Sequence, residues 1–202
     1  MKLINRTLGA LALFALSALP GMALEPIKGA TFSQVAQISL SDKAQKALER
    51  FRRTNDAFGA FFISEDGQHW TWYADMFSAK TAAKVAEIEC ETHSRRNCVL
   101  LARINPKNDV GELGVPSFAL KGYREMVRKT GSGNFAAMAI NGLSGWGSAF
   151  DFSDVSDARE RALLECEAQS ASEKADMERD VRQAFEKNKI FDCRIVFTMQ
   201  KR

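Results

Sequence analysis

The chain is short of the residues on which most catalytic and metal-binding signatures depend. It has two histidines among 202 residues, His69 and His93, and they fall in different predicted elements. A zinc site draws on several His or Cys ligands at close spacing, so no metal site is predicted. None of the four cysteines forms a Cys-x-x-Cys pair, which removes support for a thioredoxin-like redox role. There is no Gly-x-Ser-x-Gly elbow; Ser144 in GLSGWG comes close and reads more simply as a turn residue. A phosphate loop should follow a strand, whereas Gly131, Ser132 and Gly133 precede one. No cofactor is expected, and a large cofactor enzyme such as a pyridoxal-phosphate synthase would need a much longer chain.

What is present begins with a leader. Lys2 and Arg6 precede an uncharged apolar run from Leu8 to Leu19, and Pro20, Gly21, Met22 and Ala23 supply small residues for cleavage after Ala23. The run is shorter than the ~18–20 apolar residues of a membrane span, and no later stretch qualifies, so residues 1–23 read as a signal peptide and the mature chain as periplasmic or secreted. Formal net charge is +3, from 28 basic and 25 acidic residues. The leader holds two of the cations and no anion, so 26 basic residues face 25 acidic ones in the mature chain, a net charge of +1. That near-balance argues against nucleic acid as a partner.

The remaining sequence repeats one pattern. The first copy runs from QKALERFRRT (Gln45 to Thr54) through FGAFFIS (Phe58 to Ser64) to Cys90 and CVLLARI (Cys98 to Ile104). The second runs from KGYREMVRKT (Lys121 to Thr130) through FAAMAIN (Phe135 to Asn141) to Cys166 and CRIVFTM (Cys193 to Met199). In the first copy Ser41 caps a helix with Ala44, Ala47, Leu48 and Phe51 on one face. Phe58 to Ser64 is a strand, Asp66-Gly67 a hairpin turn and His69 to Ala74 the return strand. Ser78 caps a second helix to about Glu91, with Ala82, Val85, Ala86 and Cys90 on its apolar stripe, and a loop at 93–97 leads to a strand from Cys98. The second copy repeats these elements, with Gly122 weakening its first helix and a helix starting near Asp154. The predicted fold class is α+β: two tandem α-β-β-α-β units with mostly antiparallel sheet and one disulfide per unit. Residues 24–40 form a loosely tied arm, 41–104 the first unit, 105–116 a linker and 117–202 the second unit. Each unit is small, so one joined sheet with pseudo-twofold symmetry is expected.

Four cysteines in an exported chain imply two disulfides, with three possible pairings. The repeat favours Cys90 with Cys98 and Cys166 with Cys193; a bridge between copies, such as Cys90 to Cys166, is the alternative. The second pair brackets a helical insert at about 170–189, with Met177, Val181, Ala184 and Phe185 on one stripe. A straight helix from Cys166 to Lys187 would run ~30 Å, and the six steps back to Cys193 reach at most ~20 Å. Either the bridge is absent or the helix breaks, and the capping-box spacing of Ser170 and Glu173 places the break there.

Candidate ligand-binding residues are Trp70, Trp72 and Tyr73 in HWTWY, with Trp146 in the equivalent neighbourhood. On a strand His69, Thr71 and Tyr73 face one way and the tryptophans the other. They make either an aromatic platform or a core strand covered on both faces; the first copy's preceding strand, apolar on both faces, supports the core. Carboxylates cluster at Glu65 with Asp66, at Glu87, Glu89 and Glu91, and at Asp151, Asp154 and Asp157. The last group flanks a predicted helix start, where a capping role is the simpler reading. Arg50, Arg52 and Arg53, and Ser94 to Arg96, read as a solvated face. No catalytic residue is identified.

Phe58-Gly59-Ala60, Trp70 or Trp72, Ala82-Ala83, Ala86, Cys90 and Cys98 together resemble a family of small exported bacterial domains of unassigned function. Its pattern is an aromatic-Gly-Ala strand, a turn, a Trp strand, an Ala-rich helix ending in Cys and a second Cys opening an apolar strand. In the second copy Phe135-Ala136-Ala137, Trp146, Ala158, Ala162, Cys166 and Cys193 match less closely: Ala136 replaces the glycine, and a long insert precedes Cys193. The resemblance implies a periplasmic or secreted disulfide domain and supplies no catalytic residues. The expected function is a non-enzymatic exported module that binds a protein, a peptide or a cell-envelope polymer. The alternative is a hydrolase of envelope material acting through a carboxylate pair.

Overall fold

A computed structural model describes residues 24–54 and 57–202; the predicted leader lies outside them. Strands β1 (Glu25–Pro26) and β2 (Ala30–Gln34) precede helix α1 (Asp42–Arg52). The first unit continues with β3 (Phe58–Ser64), β4 (Trp70–Met76), α2 (Ala79–Ser94) and β5 (Cys98–Pro106). A short β6 (Gly114–Val115) leads to α3 (Ser117–Lys129), β7 (Phe135–Ile140), β8 (Trp146–Phe152), α4 (Val155–Ala175), α5 (Arg179–Lys187) and β9 (Arg194–Gln200).

Each unit starts from a capped amphipathic helix and a strand buried on both faces. The Ser41 hydroxyl accepts from the Ala44 amide, and Ala44, Leu48 and Phe51 are the buried face of α1. Every residue of β3 is buried. Its Phe61 and Ile63 join the α1 side, while Phe58, Ala60 and Phe62 join the α2 side. Phe51 is fully buried against Phe61 and Trp72, with ring centroids 5.7 Å from each, a burial that stabilises by about 1.5–3 kcal/mol. In the second unit α3 covers one face of its sheet and α4 the other.

The strand orders show that the units are alike. The first sheet runs β2-β5-β3-β4 and the second β8-β7-β9, so in both the returning strand flanks the first hairpin strand. All pairings in these two sheets are antiparallel. The irregularities recur as well: the register shifts between Phe58 and Ala60 against β4, and between Phe135 and Ala137 against β8. Each shift accompanies a left-handed aspartate on the partner strand, Asp75 at φ 59° and Asp151 at φ 68°. Disulfides join Cys90 to Cys98 and Cys166 to Cys193, one per unit.

Three expectations are corrected. The units keep separate sheets rather than sharing one. They adhere instead through side chains: Val181, Phe185, Ile190 and Phe191 of the second unit complete the core beneath α2, and Leu24 and Phe77 enter the core of the second. The arm is not loose, since β1 pairs in parallel with β6 and β2 is an edge strand of the first sheet; Leu24, Ile27 and Ala30 supply the buried anchors. The helix break falls later than Ser170: α4 continues to Ala175, Asp176 caps it, and α5 starts at Arg179. Ser170 is buried in mid-helix and donates to the Phe191 carbonyl at 2.8 Å. Its capping-box spacing had another cause, a tie between α4 and the returning chain.

Candidate functional site

The tryptophans serve mainly as packing groups. Trp70 and Trp72 are half-buried and lie against the α1 side of the first sheet, while Tyr73 lies against the opposite core. The alternation expected of the strand therefore holds, with both faces covered. Trp146 is half-buried beside α3, and its ring occupies the space where a Cβ on Gly122 would sit. Gly122 admits the ring; its cost to helix propensity accompanies a close approach. The four aromatics are thus spread over different faces, and they form no single platform.

Two concave sites lie along the seam between the units. The larger, a cleft of about 640 Å³, is walled by the first turns of α2, the linker at 111–113, the β7–β8 turn and the chain between α5 and β9. Lys80, Lys84, Lys189 and Arg194 line it, all exposed, over the apolar Phe58, Leu113 and Ile190. Glu112 and Asp192 are its acidic residues. None of the four cations takes part in an ion pair among the described residues.

The smaller site, about 430 Å³, lies between α2 and the α4–α5 junction and carries the opposite charge. Tyr73 donates its hydroxyl to Glu89, and His93 Nε2 lies 3.3 Å from Glu178 Oε2 across the seam. Glu173 faces the same space, and Asn141 donates to its Oε2 at 2.6 Å. Burial pushes the Glu173 carboxyl above the usual carboxylate range, against the lowering effect of the Asn141 bond. Burial, then the negative charge of Glu89, raises the Tyr73 hydroxyl far above its ordinary value, so it remains a donor.

Asn141 organises the ground between the two sites and lines the larger one. It is buried; its Nδ2 also donates to Ser170 Oγ at 3.0 Å, while its Oδ1 accepts from the Leu143 and Gly145 amides at 2.8 Å each. A buried amide with all its capacity used holds the hairpin turn rigidly against α4. Reading NGLSG only as a turn missed this role, which no local pattern marks because the partners Ser170 and Glu173 lie 29 and 32 positions away.

The other predicted carboxylates have structural tasks. Asp154 accepts from the Ser156 and Asp157 amides at the start of α4, the capping role expected of it. Asp151 accepts from Asn134 Nδ2 and the Gly131 amide, which hold it below the usual range. Asp66 accepts from the Ser64 hydroxyl and the Gln68 amide and pairs with Arg96 at 2.5 Å, so it too is lowered. Among the described residues, no group of three or more His, Cys, Asp or Glu could hold a metal ion.

The fold and its seam define an α+β, two-unit disulfide protein with paired clefts of opposite charge, and among the described residues no helix is long and apolar enough to cross a membrane. Comparison with protein-family models, curated proteins and solved structures finds no match to this chain.

Proposed function

We propose that this protein is an exported, non-enzymatic binding module for a protein, peptide or cell-envelope polymer, and that the larger seam cleft is its ligand site. The observation that carries this reading is the construction of the cleft. Four separate segments from both units converge on it, leaving an open space in the size range of ligand sites. The two disulfides fit an oxidising compartment outside the cytoplasm, and the amino-terminal leader and the resemblance to small exported domains point the same way. The half-buried tryptophans fit a supporting role better than a platform.

The test uses the mature chain immobilised against an envelope extract. Ala79→Trp puts a large side chain into the cleft from the first position of α2, and it should abolish capture of a component that the wild type and Trp70→Ala retain. Capture that survives Ala79→Trp but fails with Trp70→Ala would move the site to the aromatic strand and overturn the reading.

A second reading, hydrolysis of envelope material, rests on the acidic site. There Glu89 and Glu173 arrive from different helices with different environments: one accepts a tyrosine hydroxyl, and burial raises the other's carboxyl above the usual range. Two carboxyl groups with unlike environments are the kind of pair that glycoside hydrolysis uses. Turnover of an envelope polymer that disappears in both Glu89→Gln and Glu173→Gln would establish it in place of the binding reading.

A further inference from the structure

We infer that the seam cleft binds an acidic peptide segment, with carboxylates seated among Lys80, Lys84, Lys189 and Arg194 and an apolar side chain resting on Phe58, Leu113 and Ile190. The inference rests on the cleft being the ligand site and names the chemistry that it selects.

The charge arrangement is the main ground. In a mature chain predicted to be almost neutral, four cations from three segments border one cleft, facing two acids. Among the described residues none of the four forms an ion pair, so no such pair offsets that excess. One of them stands where the fold would not place it for stability. Lys80 sits in the first turn of α2, which holds no acidic residue, although the amino-terminal end of a helix dipole favours negative charge; Lys84 follows one turn later on the same helix. α1, α4 and α5 carry Asp42, Asp157 and Asp180 in their first turns, whereas α3, like α2, has no acid there.

The third cation is held on a rigid mount. α5 ends in a paired-bond turn: the Lys189 amide donates to Glu186 and the Ile190 amide to Phe185. Lys189 takes the left-handed position at φ 56°, usually given to glycine because a Cβ is strained there. Ile190 is buried beside Phe185, and its carbonyl accepts the Gly142 amide at 2.7 Å. The lysine is therefore projected from a backbone fixed to both α5 and the β7–β8 turn. The fourth, Arg194, opens β9 directly after Cys193, whose disulfide ties it to α4.

The floor decides between ligands. A purely ionic polymer needs cations alone, whereas this cleft presents aliphatic and aromatic surface between them. A peptide with acidic residues flanking a large apolar one satisfies both parts, and the volume holds a few residues of an extended chain and no folded domain.

The probe is a fluorescein-labelled peptide, Gly-Asp-Leu-Glu-Phe-Asp-Gly, followed by anisotropy with the mature, disulfide-intact chain. Binding should weaken steeply from low to high salt. The pair Lys84→Glu with Lys189→Glu should reduce affinity at least tenfold, while Lys46→Glu on α1 leaves it unchanged. All three lysines are exposed, and thermal melting checks that each variant remains folded. Equal binding of the peptide with Asn and Gln in place of its acids would overturn the inference while leaving the cleft as ligand site, provided that Ala79→Trp blocks it. No binding by either peptide, or tighter binding of inorganic polyphosphate at matched charge, overturns the acidic-peptide assignment. Failure of the site itself reads out separately, as capture from envelope extract that Ala79→Trp does not affect.

Discussion

Equivalent strands in the two units present side chains of different size to their helices, and an acidic cleft lies beside one of them. In the second unit Gly147 lies under α4, where a Cβ would run into the Ala162 carbonyl and the Cys166 amide. Ala137, Ala139, Ala149, Ala158 and Ala162 surround it, so small residues bring the helix down onto the sheet. In the first unit the matching positions on β4 are Thr71 and Tyr73, counted from the paired Trp70 and Trp146. Of these, Tyr73 packs against the core on the α2 side. The acidic site lies beside this Tyr73, next to Glu89. The matching Glu165 instead forms a salt bridge to Arg161 at 3.1 Å and accepts the Ser148 amide. One framework thus yields a close helix–strand contact where alanine and glycine line it and an acidic pocket where tyrosine does.

The bridges offer the largest test of this likeness. Cys166 and Cys193 are separated by 27 positions, Cys90 and Cys98 by 8. On chain-entropy grounds, replacing the longer pair by alanines should cost about 3.5 kcal/mol and the shorter about 2.5 kcal/mol. Urea unfolding of the two double variants checks it; an inverted order would mean that strain or residual structure, not loop length, separates the units. Next comes the helix–strand gap. Gly147→Val should destabilise by about 1–3 kcal/mol through overpacking, whereas Thr71→Val should stay within about 1 kcal/mol. Equal costs in thermal melts would remove the claim that the seams differ in tightness.

The paired glutamates separate more finely. Tyr73→Phe removes the donor to Glu89 and should cost about 0.5–1.5 kcal/mol. Arg161→Ala breaks an exposed helix pair and should cost no more than about 0.5 kcal/mol. The smallest effect is a pH dependence of opposite sign at two carboxylates. The Glu173 carboxyl is raised in the folded state, so the folded chain holds its proton more tightly than the unfolded chain does. Stability should fall as pH climbs from the ordinary glutamate range through the raised value, and Glu173→Gln should flatten that decline. Asp151 is lowered, so its contribution is present above the ordinary aspartate range and is lost as pH falls through its folded value. Asp151→Asn should remove that acid-side loss. Melting curves across pH distinguish the two, and parallel profiles would show that neither group is coupled to folding.

Much of the framework was legible because it is carried by local rules. Ser41, Ser78 and Asp154 cap the helices that they were expected to cap, and the hairpin around Asp66-Gly67 follows from turn chemistry. Chain length left two outcomes, no bridge or a broken helix before Cys193, and the bridge forms with the helix broken. The break was misplaced because Ser170 and Glu173 fit a capping box by spacing, while their partners, Phe191 and Asn141, lie far along the chain. The candidate site was less legible for the same reason. Lys80, Lys84, Lys189 and Arg194 are scattered singly in the sequence and converge only when α2 and the chain leading into β9 face each other.

By itself, then, the sequence determined the doubled pattern, the fold class and the cysteine pairing that the repeat favoured, since periodicity, caps and spacing act over a few residues. Tertiary structure alone decided that the units keep separate sheets, that the arm ties into both of them, and that two clefts of opposite charge open along the seam. Those features depend on which side chains fill the space between helix and sheet, and on charges brought together across long separations. Neither has a local signature along the chain.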